Sequence, residues 1–444
     1  MARSWAILAV LAVAAVTVSA QKSGVESVTG GPIYTLPRDH ALHTEQPLYK
    51  MSNDFMEWFY FTSFCKDVNT GEPVTVFWVL NLQGYIKKTA QPFNSILFSG
   101  HNMDTGFFQN TLDKPATIKT TGTGPGVGDK FMFTYTMEDE FSRANITYVH
   151  KDETWYFKAS STNTQGDNQP YDLDLKLKIY SPGYIGATAQ GVETEGYNPT
   201  GDWNPQSMYG LSYYTIAPQA LITGEVKMGD GKQRTIRGAA WMEHQWGNFR
   251  GYSNLHSRYY WAWGRLDNGD LLTLREWRTK DAADVNNGPP DRTQSRFIYL
   301  KKLPDNKGFH TLYATGPAMN FTPAKYHKIA NGQSFPLWGK LATPQGTFYI
   351  APEFKDQAAL TAAGPYFFEG VTYIYKDKEL KQRVGRMFSE HVEIANKKFD
   401  FVRQAPERGF ARPLDGGLPP LPEDVAKAVY PSRPLKVDAT PFKA

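Results

Sequence analysis

Cysteine is almost absent. Cys65 stands alone in 444 residues, so no intrachain disulfide can form and the core must hold the fold. It sits in the apolar run FYFTSFCKD with no local His motif beside it, which points to a buried, inert thiol rather than a nucleophile. An excess of charge of either sign is also missing: 48 Lys and Arg against 44 Asp and Glu leave a net +4 with no basic stripe, and nucleic acid is not an expected partner. The sequence lacks a GxSxG elbow and a GxGxxG after a strand. The Gly-rich loop TGTGPGVGDK has no Gly-Lys-Ser/Thr to cradle a phosphate, and TKDAADVNNGPPD misses calcium-loop spacing. His40 and His43 form an isolated HxxH with no third ligand in view, so neither a metal nor a cofactor is expected.

Helical periodicity is scarce as well. Alternating runs bounded by Gly, Pro, Asn and Asp recur from Asp54 to Val402, among them MEWFYFTSF, VTVFWVLNLQGY, KFMFTYTME, TWYFKASS, LDLKLKIY, YYWAWGRL and VTYIYKD. Their spacing predicts about sixteen to twenty strands, an all-β chain. A length of 444 residues is long for one core and implies two domains, two barrels or sandwiches in series. Aromatic residues are plentiful, with 27 Phe, 25 Tyr and 11 Trp, and suit sheets and apolar pockets.

Both ends differ from the middle. Arg3, the run AILAVLAVAAVTV and the small residues Val18 to Ala20 read as a signal peptide over 1–20, cleaved before Gln21. The run is too short for a comfortable membrane span, so a secreted, soluble chain is expected. Two sequons, at Asn145 and Asn320, fit a eukaryotic secretory route. A segment 21–48 precedes the first strand pattern, and 403–444, with PERGFARPLDGGLPPLPED, reads as an extended or disordered tail.

Chemistry concentrates in WMEHQWG. Side chains two apart on a strand share a face, so Met242, His244 and Trp246 point one way while Trp241, Glu243 and Gln245 point the other. An imidazole beside an indole can move a proton where a π face shields a cation. The plainer alternative is a structural His at a strand end. In DFMEWFYF, Met56, Trp58 and Tyr60 share one face, and Glu57, Phe59 and Phe61 the other. Glu57 is either an acid with a raised pKa or half of an ion pair, with Arg250 or Arg265 as partner. Tyr260, Trp261 and Trp263 make at least one aromatic wall, and Glu369 and Glu390 are further acids in apolar company, either binding residues or cross-strand partners of Arg or Lys.

Four blocks in order resemble one family. MEWFYFTSF is similar to the EWWYF start, and GAAWMEHQWGNF to the W-x-D-H-x-W-G end, of the lipocalin-like AttH and carotenoid 1,2-hydratase family. YYWAWGRLDNGDLL and FFEGVTYI…GRMFSE resemble the strand pair that opens, and the block that closes, its second domain. The family includes hydroxyneurosporene synthase, kievitone hydratase and the fungal Diels-Alder cyclases. The resemblance implies two lipocalin-like, calycin-type antiparallel β-barrels packed in tandem, here over 49–250 and 251–402, with a pocket in or beside the first.

It also implies His244 and Trp246 as catalytic, with Glu243 in place of the usual Asp. The hydratases' downstream Tyr-x-Asp is Tyr260-Trp261-Ala262 here, and lacks the Asp. The expected activity is therefore that of a cofactor-independent hydratase or cyclase on an apolar isoprenoid, polyene or prenylated phenol. His244, Trp246 and Glu243 would be catalytic; Glu57, Trp58, Tyr60, Trp241, Tyr260, Trp263, Glu369 and Glu390 would line the substrate. A secreted carrier of a lipid or pigment, or a packed structural protein without a cavity, are the alternatives.

Overall fold

Residues Tyr171–Ile179, YDLDLKLKI, bury every odd-numbered side chain and expose every even one, the period of a strand with one face on a core. The computed structural model describes residues 55–86, 91–102, 106–122, 130–137, 141–149, 152, 154–164, 168–180, 184–185, 192–194, 211–248, 256–279, 296–302, 304, 309–315, 320–329, 332–343, 345–360, 366–393, 422–426 and 439–442. The expected signal peptide, the segment 21–48, the HxxH pair and Arg250 lie outside these.

Twenty-two strands are found among them. The first twelve are β1 (Phe55–Asp67), β2 (Pro73–Ile86), β3 (Gln91–Asn102), β4 (Gly106–Gly122), β5 (Lys130–Met137), β6 (Ser142–Val149), β7 (Thr154–Ser161), β8 (Tyr171–Ile179), β9 (Tyr184–Ile185), β10 (Val192–Thr194), β11 (Leu211–Lys227) and β12 (Gln233–Asn248). They form one antiparallel sheet, ordered β10-β11-β12-β1-β2-β3-β4-β5-β6-β7-β8 with β9 on β11, and β8 pairs back onto β11 to close the path into a ring. Gly224 on β11 lies at that seam with φ of +140°, and a Cβ there would come within 2.1 Å of the Asp174 carbonyl oxygen, so only glycine fits.

The second sheet holds β13 (His256–Leu266), β14 (Leu271–Thr279), β15 (Arg296–Lys302), β16 (Phe309–Thr315), β17 (Asn320–Lys328), β18 (Ser334–Thr343), β19 (Gly346–Pro352), β20 (Ala358–Leu360), β21 (Tyr366–Tyr375) and β22 (Arg383–Glu393). Its order is β16-β15-β14-β13-β22-β21-β19-β18-β17, with β20 on β21. It is open but curled, since Tyr260 on β13 meets Phe321 on the far strand β17 with ring centroids 4.5 Å apart.

Each sheet has its own core. The first is lined by Phe59, Phe61, Trp78, Trp155, Phe157 and Leu175 among others, and the second by Tyr260, Leu272, Phe321, Phe348 and Met387. A third cluster joins them: Tyr60, Phe64, Phe77 and Trp241 from the first sheet pack on Trp261, Trp263, Val371 and Phe388 of the second. The architecture is thus all-β and tandem, as expected.

Two pieces near the chain end dock on the sheets. Helix α1 (Glu423–Ala426) buries Val425 against Ala239 while Asp424 pairs with Arg237 at 2.9 Å, and Phe442 packs edge-on to Tyr349. Among the described residues no helix is long and apolar enough to cross a membrane.

Candidate functional site

Strands β1 and β12 lie side by side with Phe59 opposite His244 and Glu57 opposite Trp246. Period two then puts Glu57, Phe59 and Phe61 on the concave face with Met242 and His244. His244 Nε2 sits 2.9 Å from Glu57 Oε1, and the residues are 2% and 0% exposed. The imidazole stacks on Phe59, centroids 4.0 Å apart and planes 16° from parallel. Trp155 on β7 leans on Phe59 at 5.7 Å, and Tyr148 on β6 leans on Trp155 at 4.9 Å.

Below this layer Met242, Phe61 and Trp78 fill the ring. Burying a carboxylate in such apolar company is costly unless a partner answers it, and here the imidazole does. The contact puts a transferable proton between Nε2 and Oε1, held in orientation by the stack on Phe59.

Of the two readings of Glu57, a raised-pKa acid or half of an ion pair with Arg250 or Arg265, neither names the contact found here, which is with His244. Arg265 lies on the second sheet and Arg250 outside the described residues; Glu57 and His244 are 187 residues apart in sequence, beyond the reach of local pattern. The Trp246 indole lies outside the described side chains.

The opposite faces of the same strands carry most of the other expected site residues. Trp58, Tyr60, Trp241 and Glu243 turn toward the second sheet, where they meet Trp261, Trp263, Glu369 and Glu390. Tyr60 contacts Trp261 edge-on at 5.4 Å, and Trp241 stacks on Trp263 at 5.5 Å. The Trp241 indole N–H donates to Glu243 Oε1 at 2.6 Å.

Burial raises the pKa of Glu369, with Glu390 and Glu243 adding to it; burial likewise pushes Glu390 up to about 7 against the pull of Arg275. Tyr60 is held well above the usual phenol range by burial and then by Glu369, Glu243 and Glu390. Cys65 is buried and its thiol pushed up to about 12 by burial, as an inert side chain should be.

Tyr260 belongs to neither group. It faces the interior of the second sheet, stacked on His391 at 4.2 Å, with buried Glu276 ion-paired to Arg278 nearby. Ala262 is packed in that same core. The structure therefore unites Glu57 with His244, sends Glu243, Trp58, Tyr60, Trp241, Trp263, Glu369 and Glu390 to the junction of the sheets, and puts Tyr260 in a second interior. Phe59, Trp155 and His391 were missed. Phe59 was legible as sharing a face with Glu57, while Trp155 reaches the site only through pairing of distant strands.

No family model matches the sequence, and no curated protein matches it. Solved structures do. A protein assigned as AttH from Nitrosomonas europaea superposes with a TM-score of 0.60 at 17% identity, covering 81% of this chain and 96% of that one. Kievitone hydratase from Nectria haematococca gives 0.50 at 16% identity, covering 79% and 95%. The chain shares the fold of AttH and kievitone hydratase. Coverage of about four fifths of this chain reaches into both sheets, so the likeness in fold is not confined to one of them.

Proposed function

We propose that the chain is a cofactor-independent, acid-catalysing enzyme of hydratase or cyclase type, acting on an apolar unsaturated molecule such as an isoprenoid or prenylated phenol. The observation that carries this is the buried His244–Glu57 pair on the concave aromatic wall of the first sheet. In a hydration, the imidazolium held by Glu57 through Nε2 gives its Nδ1 proton to one alkene carbon, the neighbouring carbon becomes a cation shielded by the aromatic wall, and a water oxygen attacks it. The proton that this water sheds returns to the imidazole, with Glu57 holding the ring and balancing its charge. In a cyclisation the same wall folds the substrate, and orientation supplies most of the rate.

Kievitone hydratase is named for the hydration of kievitone, and its likeness in fold supports this class. The Ala262 departure favours a second reading, a carrier that holds the same kind of guest without turnover. Export through the 1–20 segment belongs to the proposal, placing the activity outside the cell.

The test is incubation of the mature chain with prenylated phenols and isoprenoid extracts, followed by mass spectrometry for a product heavier by one water or an isomer. His244→Ala and Glu57→Gln should abolish product while retaining bound guest. Normal turnover by His244→Ala removes the assignment. Binding without turnover by the wild type makes the chain a carrier.

A further inference from the structure

The face that the second sheet turns to the first is graded in charge along its strands. At one level Trp261 is flanked by Glu390 and Arg275; at the next lie Trp263, Phe388 and Val371; at the third, Arg265 on β13 is the register partner of Arg386 on β22. Arg386 points across the junction, donating to Thr75 Oγ1 at 3.4 Å and lying over the Phe64 ring at 5.1 Å. Its charge is answered by Glu353 at 3.0 Å.

Arg265 has no such answer. It is 2% exposed, no carboxylate or carbonyl among the described residues accepts from it, and its Nε is buried without an acceptor. Burial pushes its pKa down to about 10. A guanidinium removed from water and left uncompensated is among the costliest arrangements a fold can hold, and a ligand of opposite charge relieves it.

Among the unmet donors at the junction, two stand in the layers next to Arg265. One is Nε1 of Trp263, two residues before Arg265 and on the same side of β13; the other is the hydroxyl of Thr62 on β1. Thr62 is the register partner of Trp241, whose indole stacks on Trp263, so the hydroxyl, the indole and the guanidinium occupy neighbouring layers of one junction.

We propose that Arg265, Trp263 and Thr62 form a binding site between the two sheets for an oxyanion, a carboxylate or phosphate group. The guanidinium fork takes two oxygens in parallel, and the indole and hydroxyl donate to what remains. Leu271, the register partner of Arg265, and Phe64 bound the site with apolar surface, which strengthens each charge-assisted contact and limits the guest group to a small one. The site goes beyond the proposed reaction: Trp241 and His244 are on opposite faces of β12, so the two sites are separated by the thickness of one strand.

The experiment is thermal unfolding of the whole chain in rising acetate or inorganic phosphate, against sodium chloride at matched ionic strength. A saturable rise of a few degrees with either oxyanion, and none with chloride, is expected. Acetate alone or phosphate alone names the group; both support the site. In oxyanion-free buffer Arg265→Met should melt no lower than wild type, because it removes an unpaired buried charge, and it should lose the oxyanion response. Should Arg265→Met fail to fold, Arg265→Lys keeps the charge but not the fork and must weaken the apparent affinity about tenfold. A wild type indifferent to both oxyanions, a response matched by chloride, or a response retained by the Arg265 variants overturns the proposal. A product assay on the same variants, unchanged in turnover, separates this site from His244.

Discussion

Glu369 on β21 and Glu390 on β22 stand directly opposite each other on the face that meets the first sheet. Both keep their protons in the folded state to higher pH than a carboxyl normally does, because burial penalises the charged form and, at Glu369, Glu390 and Glu243 repel a second and third negative charge. Arg275 pulls the other way, and Tyr60 and Tyr259 complete the titratable groups around them.

The sign follows from linkage. A carboxyl raised on folding contributes stability that is complete below its ordinary value of 4.5 and lost as pH rises through about 7. The melting temperature should therefore fall between about pH 5 and pH 8, and Glu390→Gln should flatten that fall. Calorimetry across buffers reads it, and a wild-type melting temperature that climbs over the same interval would falsify the protonated pair.

Gly224→Ala should destabilise the first sheet alone. The new methyl meets the Asp174 carbonyl at the seam where β8 closes the ring, and a φ of +140° is foreign to alanine. Overpacking costs about 1–3 kcal/mol and the strained backbone adds on the order of 1–3 kcal/mol more. Urea unfolding followed by far-UV circular dichroism measures the shift; an unchanged midpoint refutes the close approach.

Arginines at two ion pairs should differ in what their truncation costs. Arg386→Met takes the guanidinium away from the buried Glu353 carboxylate, which costs about 3–5 kcal/mol. Arg237→Met breaks a solvent-exposed pair with Asp424, which costs about 0–1 kcal/mol. Equal effects in chemical denaturation would contradict the difference in burial.

Export carries its own check. Asn145 lies on β6 with its neighbours Ala144 and Ile146 buried, so its side chain belongs to the outer face of the ring, where a glycan has room. Expression in a eukaryotic secretory host should give a band that an endoglycosidase shifts and that Asn145→Gln lacks. A secreted product without that shift removes Asn145 as an acceptor.

Much of the fold was legible because a strand repeats every two residues. That period sorted Glu57 from Trp58 and His244 from Glu243 onto opposite faces, and both separations hold. Period two does not say which face is concave. For β12 the difference decided whether His244 or Glu243 entered the interior, and all the carboxylates with aromatic neighbours looked alike until the sheets were docked. The strand total exceeded the expected sixteen to twenty because pieces such as β9, two residues long, and β10 and β20, three residues each, are too short to alternate. Arg265 was visible only as a candidate partner for Glu57; its solitude depends on what fails to surround it, and no local pattern encodes that.

Strand β12 is a party wall. His244 hangs on one side of it and Trp241 on the other, three residues apart and joined by backbone that pairs with neighbours along both edges. A guest that tilts the imidazole must lean on the same ribbon that positions the indole. The emission of Trp241 and its stacked neighbour Trp263 thus becomes a built-in gauge for events at an imidazole that neither of them touches.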